Sequence, residues 1–165
     1  NGAGGAFDGF TLSSNNNIIN ELIINDFTNS AGIRITGNTN TITNSYIGTN
    51  FDGTVANANG YGIFISGGTG NNIIGTAGNG NVISGNTWYG ILVGTSTATS
   101  NDIKGNYFGT DSSGASAVAN GTGVLIQSDS NTIGGSGASE GNIISGNTGD
   151  GSGILAADSN TIEGN

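Results

Sequence analysis

Apolar residues occur along this chain in short runs, each bounded by Gly or Asn. In one representative stretch they are Ile103, then Tyr107 with Phe108, then Val124 with Ile126. These are β-type residues, they alternate with polar neighbours, and no run is long enough for a helix. The pattern predicts many short strands and no helical element.

The runs repeat. The segment from Asn40, NTITNSYIGTNFDGTVANANGYGIFI, aligns without a gap with NDIKGNYFGTDSSGASAVANGTGVLI from Asn101, an offset of 61 residues. GNVISGNT from Gly80 returns at the same offset as GNIISGNT from Gly141. Each 61-residue unit divides into two similar halves. Asn-x-Ile begins at Asn40, Asn71, Asn101, Asn131 and Asn160, and Gly-apolar-x-apolar begins at Gly9, Gly32, Gly62, Gly90, Gly123 and Gly153. The shortest spacing, 23 residues between Gly9 and Gly32, is the minimal turn. Longer turns carry insertions in Gly/Ser/Asn/Ala-rich stretches such as FDGTVANANGY and DSSGASAVANGT, as loops do when they grow from a solenoid. Three short strands per turn describe one triangular coil of a right-handed, single-stranded parallel β-helix, all-β, with about six coils. A propeller blade needs about 40–45 residues, a hexapeptide helix needs a strict six-residue period, and a leucine-rich repeat needs a Leu framework. None of these fits.

At about 4.8 Å per coil, six coils make a rod of roughly 30 Å. Equivalent residues are expected to stack: Ile42, Ile73, Ile103, Ile133 and Ile162 in one inward column, and Ile35, Ile65, Val93 and Ile126 in another. Asn40, Asn71, Asn101, Asn131 and Asn160 are expected to form a structural ladder at a corner, where side-chain amides bond from coil to coil and Asn tolerates left-handed backbone. Asn86, Asn106, Asn147 and Asn165, each following Gly, are expected to form a second column.

Composition modifies this picture in two ways. The chain has 165 residues, 33 of them Gly, with no Pro, Cys, Met or His and only 8% charged residues. Absence of Pro suits a chain whose every coil N–H is wanted for the ladder. Absence of His and Cys removes zinc sites and His-based triads. A formal charge of −9, with Arg34 and Lys104 the only basic residues, repels phosphate backbones and excludes nucleic acid as a partner. No apolar run reaches the roughly 18 residues a membrane-spanning helix needs.

NVISGNT followed by YGILV, with SNTI-x-GN and NYFGTD, resembles the repeats of right-handed parallel β-helix proteins. It is similar to the pectate-lyase-like superfamily in its broad sense, especially the Asn/Gly-rich arrays of bacterial exported and surface proteins. The resemblance runs from about Phe7 to Asn165. It implies the fold and a secreted or cell-surface location. It leaves function divided between a structural or adhesive rod and a polysaccharide-active lyase, epimerase or hydrolase, or a carbohydrate-binding module.

Lyase chemistry in this superfamily implies Ca²⁺-binding carboxylates beside Arg or Lys. Arg34 in GIRIT and Lys104 in NDIKGN are read as outward surface cations at equivalent places. Asp129 and Asp158, each before Ser-Asn, lie about one rung apart and read as turn caps rather than a hydrolytic pair. Asp52 and Asp111, in corresponding insertions, read as Asx turns and are the candidate Ca²⁺ contacts. Trp88 and Tyr89 are the candidate glycan contact, with corner-capping the alternative for Trp88. Asn120-Gly121-Thr122 is a formal glycosylation sequon. No residue is assigned a catalytic role, and no cofactor beyond Ca²⁺ is expected. Residues 1–165 read as one β-helix domain, either a segment of a longer array or a subunit that stacks head to tail along its axis. The expected function is an extracellular structural or adhesive rod or filament segment.

Overall fold

The computed structural model describes residues 6–67 and 70–165. The chain winds through successive coils, each contributing one strand to each of three sheets. The first coil holds β1 (Phe10–Leu12), β2 (Ile18–Asn20) and β3 (Ile23–Ile24); the second holds β4 (Ala31–Ile35), β5 (Thr41–Thr43) and β6 (Tyr46–Ile47). The third holds β7 (Tyr61–Ile65), β8 (Ile73–Ile74) and β9 (Val82–Ile83); the fourth, β10 (Tyr89–Val93), β11 (Asp102–Ile103) and β12 (Tyr107–Phe108). The fifth holds β13 (Thr122–Ile126), β14 (Thr132–Gly134) and β15 (Ile143–Ile144), and the sixth, β16 (Ser152–Ile154) and β17 (Thr161–Glu163).

Sheet A runs β1-β4-β7-β10-β13-β16, sheet B β2-β5-β8-β11-β14-β17, and sheet C β3-β6-β9-β12-β15. Every strand pair in these sheets is parallel. This is an all-β parallel β-helix of about six coils with three short strands per coil, the architecture that the tandem repeats predict.

The core is a set of vertical columns. In sheet A, Leu12, Ile35, Ile65, Val93, Ile126 and Ile154 pair in turn, as do Phe10, Ile33, Ile63, Ile91 and Val124. In sheet C the inward row is Ile24, Ile47, Ile83, Phe108 and Ile144. The middle members of these columns are fully buried. Glycine is required where the columns meet. A Cβ on Gly90 would lie 2.6 Å from the Gly123 carbonyl oxygen and 3.1 Å from Phe108 Cδ1, so the Gly-apolar signature marks a place with no room for a side chain.

The sheet B column corrects one expectation. Ile42 pairs with Ile74, not Ile73, and the column continues through Ile103, Ile133 and Ile162. Ile73 faces outward and is 37% exposed, whereas Ile74 is fully buried. The cause is the doubled sequence Asn71-Asn72-Ile73-Ile74, which satisfies Asn-x-Ile in two frames. A one-residue shift sends every side chain to the opposite face. The last coil shifts by two residues, which preserves the facing of its side chains: Gly153 pairs with Leu125 rather than Gly123, and Ile154 joins the Ile126 column.

The Asn ladder moves with this register. Its members are Asn17, Asn40, Asn72, Asn101, Asn131 and Asn160; Asn71 is outside it, exposed, with φ 55°. In each step the Oδ1 of one Asn accepts two bonds from the Asn one coil earlier. Asn101 Oδ1 takes the Asn72 backbone N–H at 3.1 Å and Nδ2 at 2.9 Å. Asn131 Oδ1 takes the same groups of Asn101 at 2.9 and 2.8 Å. At three rungs the remaining amide proton goes to a carbonyl, from Asn17 Nδ2 to Ser14 O, from Asn101 Nδ2 to Ala98 O and from Asn131 Nδ2 to Ser128 O. The residue before each ladder Asn (Asn16, Thr39, Asn71, Ser100, Ser130, Ser159) has φ between 55° and 61°. Each corner is thus a left-handed residue followed by an amide.

The expected second column of Asn86, Asn106, Asn147 and Asn165 divides between two corners. Ser45, Asn81, Asn106, Asn142 and Asn165 form the ladder between sheets B and C. Asn59, Asn86, Asn120 and Asn147 form the ladder between sheets C and A. Gly-Asn marks both corners, because Gly85 (φ 76°) and Gly105 (φ 69°) supply the same left-handed turn. The dipeptide alone therefore cannot tell the two corners apart. Asn160 Nδ2, at the last rung of the first ladder, is buried with no hydrogen-bond partner among the described residues.

Two stability predictions follow from the register. Ile74→Ala should cost about 2–5 kcal/mol in denaturant unfolding, and Ile73→Ala less than about 1 kcal/mol; equal costs would contradict this register. Asn106→Ala strips the acceptor from the Asn81 N–H and Nδ2 and should cost about 3 kcal/mol or more. Asn17→Ala, at the first rung, leaves no buried donor unpaired and should cost about 1 kcal/mol by the same measurement.

Candidate functional site

The candidate glycan contact lies on the outer face of sheet A. Tyr61 and Tyr89 occupy adjacent rungs, and their rings stack at 5.7 Å with an interplanar angle of 7°. Phe64 stacks on Tyr61 at 5.0 Å, and the Trp88 ring meets Tyr61 edge-on at 4.9 Å. Trp88 also covers the preceding corner: a Cβ on Gly60 would lie 2.7 Å from Trp88 Cζ3. Trp88 and Tyr89 therefore belong to a four-ring cluster in which Tyr61 is central and much of the ring surface faces other rings. Trp88 remains 40% exposed. Tyr61 and Phe64 escaped the reading of the sequence. The shared Tyr-Gly-Ile of Tyr61–Ile63 and Tyr89–Ile91 was the available signal.

Arg34 borders this cluster with its guanidinium 4.7 Å from the Phe64 ring centroid. It donates through Nε to Asp8 Oδ2 and through Nη2 to Asp8 Oδ1 at 3.2 Å. Asp8 also accepts Ser30 Oγ and the Ala31 N–H. Burial alone would raise the Asp8 pKa. The hydrogen bonds from Arg34, Ser30 and Ala31 and the charge of Arg34 outweigh it, and the carboxyl is held below 3.8. Lys104 pairs with Glu140 at 3.5 Å. The two cations do not occupy equivalent places: Arg34 is central in a sheet A strand, whereas Lys104 follows the sheet B strand β11.

Asp52 and Asp111 sit in two hairpin-like insertions, each closed by an antiparallel bridge, Thr49–Ala56 and Thr110–Ala117. Both cap their own turns. Asp52 Oδ1 accepts the Thr54 N–H at 3.2 Å and Thr54 Oγ1. Asp111 Oδ1 accepts Ser113 Oγ at 2.8 Å and the N–H groups of Ser113 and Ala115, both at 3.1 Å. Bonds to the ionised form favour it, so Asp111 falls to about 2 and Asp52 below its usual value. Asn50, not Asp52, holds the place equivalent to Asp111: its Oδ1 takes the Thr54 and Val55 N–H groups. Among the described residues no group of three or more His, Cys, Asp or Glu converges to hold a metal.

Asp129 and Asp158 lie on adjacent coils, and Asp129 Oδ1 accepts the Asp158 N–H at 2.8 Å. Asn120 of the sequon is fully buried in the ladder between sheets C and A, so the folded chain does not present it. The chemistry available here is therefore local: carboxylates satisfied by N–H and O–H donors, cations paired with carboxylates, and rings stacked on rings. No family model matches the chain, and comparison with curated proteins and with solved structures likewise finds no match.

The Asp8 cluster yields a pH prediction. Its folded pKa is depressed, so its stabilising contribution is complete above the ordinary Asp value and fades as pH falls through the folded one. The melting temperature of the unaltered chain should exceed that of Asp8→Asn at pH 6. The gap should close below about pH 3.8. A gap unchanged between pH 6 and pH 2 would contradict the role given to the charge.

Proposed function

We propose that this chain is a non-catalytic structural rod of the pectate-lyase-like β-helix class, working outside the cell as a stalk, fibre or adhesive segment. The observation that carries this reading is the three amide ladders, which commit the buried polar side chains of all three corners to coil-to-coil bonds. The charged groups are used in the same way, with Arg34 bound to Asp8 and Asp52 and Asp111 to their own loops. An array of this kind gains stability one coil at a time and serves well as a spacer. Axial head-to-tail association of copies, pairing strand edges at the rod ends, belongs to the same proposal. A secreted location belongs to the same proposal and rests on the resemblance of the repeats to those of exported β-helix proteins.

The sheet A cluster favours one second reading, glycan contact through Trp88 and Tyr89, because Trp88 keeps exposed aromatic surface beside a charged pair.

A depolymerisation screen over neutral and acidic polysaccharides with Ca²⁺ present tests the central proposal. The expected outcome is no turnover. Turnover lost on Arg34→Ala or Asp111→Ala would replace the rod with an enzyme. Electron microscopy at rising protein concentration tests stacking, with particle length expected to grow in steps of one rod.

A further inference from the structure

The insertions in this solenoid are not spread evenly around its corners. The longest separate sheet C from the next sheet A strand, between Ile47 and Tyr61 and between Phe108 and Thr122. Two more separate sheet B from sheet C, between Ile74 and Val82 and between Gly134 and Ile143. The two kinds alternate from coil to coil, and both rise beside sheet C. Loops on one face of a repeat protein commonly wall its binding surface.

The outward row of sheet C is Ile23, Tyr46, Val82, Tyr107 and Ile143. A cleft of about 290 Å³ lies on it, lined by Asn44, Ser45, Tyr46, Val82, Tyr107 and Ser112. A second of about 330 Å³ shares Gly80 and Tyr107 with it and reaches Ser139 and Ile143. Together they form a trough along the rod axis. Among the described residues, no charged side chain lines either part.

The tyrosines are held in place from behind. A Cβ on Gly53 would lie 2.8 Å from Tyr46 Cε1, and one on Gly114 would lie 3.1 Å from Tyr107 Cε1, so each hairpin backs one ring. The hairpins also touch each other, Ser112 Oγ donating to Asp52 O at 3.3 Å. The turn caps at Asp52 and Asp111 thus stiffen the trough wall. Tyr46 and Tyr107 stand two rungs apart, about 10 Å at the usual strand spacing.

We infer that the sheet C trough is a binding site for a neutral polysaccharide chain lying along the rod axis, with Tyr46 and Tyr107 contacting two of its sugar rings. Two rings a disaccharide length apart suit the apolar faces of alternate sugars in an extended chain. Asn, Ser and Tyr polar groups suit hydroxyls, and the −9 net charge disfavours a polyanion. This site is separate from the sheet A cluster, and the rod proposal does not depend on it.

Affinity electrophoresis through gels containing hydroxyethyl cellulose, arabinoxylan, glucomannan or polygalacturonate tests the inference. Retardation by at least one neutral polymer and none by polygalacturonate is expected. Tyr46→Ala/Tyr107→Ala should weaken it about tenfold or more. Ser112→Trp, at an exposed hairpin position away from the core, should block the trough while the far-UV circular dichroism of the folded β-helix is retained. Tyr89→Ala should bind as the unaltered chain does. Failure of every neutral polymer to retard the protein, retardation by polygalacturonate, or full retardation of the Tyr46/Tyr107 and Ser112 variants would overturn the assignment. Loss on Tyr89→Ala alone would move the site to sheet A.

Discussion

The amide ladder is the interaction on which the rest of this molecule depends. A triangular coil must turn its backbone three times in little more than 20 residues, and each turn takes the chain out of the sheet hydrogen-bond pattern. The N–H groups at those corners are buried and need acceptors. An Asn from the next coil supplies one Oδ1 for both the corner N–H and the corner Asn Nδ2, while its own Nδ2 donates onward. Backbone and side chain are thereby satisfied together, at about 2.7–3.3 Å per bond. Replacing one rung strands donors on a neighbouring coil, so ladder residues act as a network rather than as independent pairs.

The left-handed residue before each rung is the other half of this arrangement. Ser100, Ser130 and Thr39 accept a backbone region that L-residues seldom enter, at a cost of roughly 1–2 kcal/mol each. The ladder and the aliphatic columns outweigh that cost. The same geometry allows insertions, because a coil can leave the corner, form a loop and return to the next strand in register. The hairpins carrying Asp52 and Asp111 do this two coils apart and end up in contact. Surface architecture here is a by-product of corner geometry.

What this does for function is to separate scaffold from surface. The polar residues that look chemically interesting in isolation are mostly engaged inward or with their own loop. The residues that remain available are outward aromatic side chains on two faces: Trp88 and its neighbours on sheet A, and Tyr46 with Tyr107 between loop walls on sheet C. They stand on the outer faces of the sheets, where the ladders make no use of them.

Much of the fold was legible in the residues alone, because a tandem pattern with a 23-residue minimum and three apolar runs admits few architectures. Coil number, three-sidedness, the Ile35 column in full, the Ile42 column but for Ile73, and four of the six rungs of the first ladder follow from it. The frame of Asn71 against Asn72 did not, since Asn-Asn-Ile-Ile reads equally well in both, and only strand pairing with Ile42 and Ile103 chooses one. The division of the Gly-Asn residues between two corners was hidden for the same reason. Local signals specify that a turn occurs; which of three equivalent corners it builds depends on how many residues the preceding loop absorbs. The pairing of Arg34 with Asp8, and the meeting of Tyr46 and Tyr107 across a trough, join residues 26 and 61 positions apart, and only the winding of the chain brings them together.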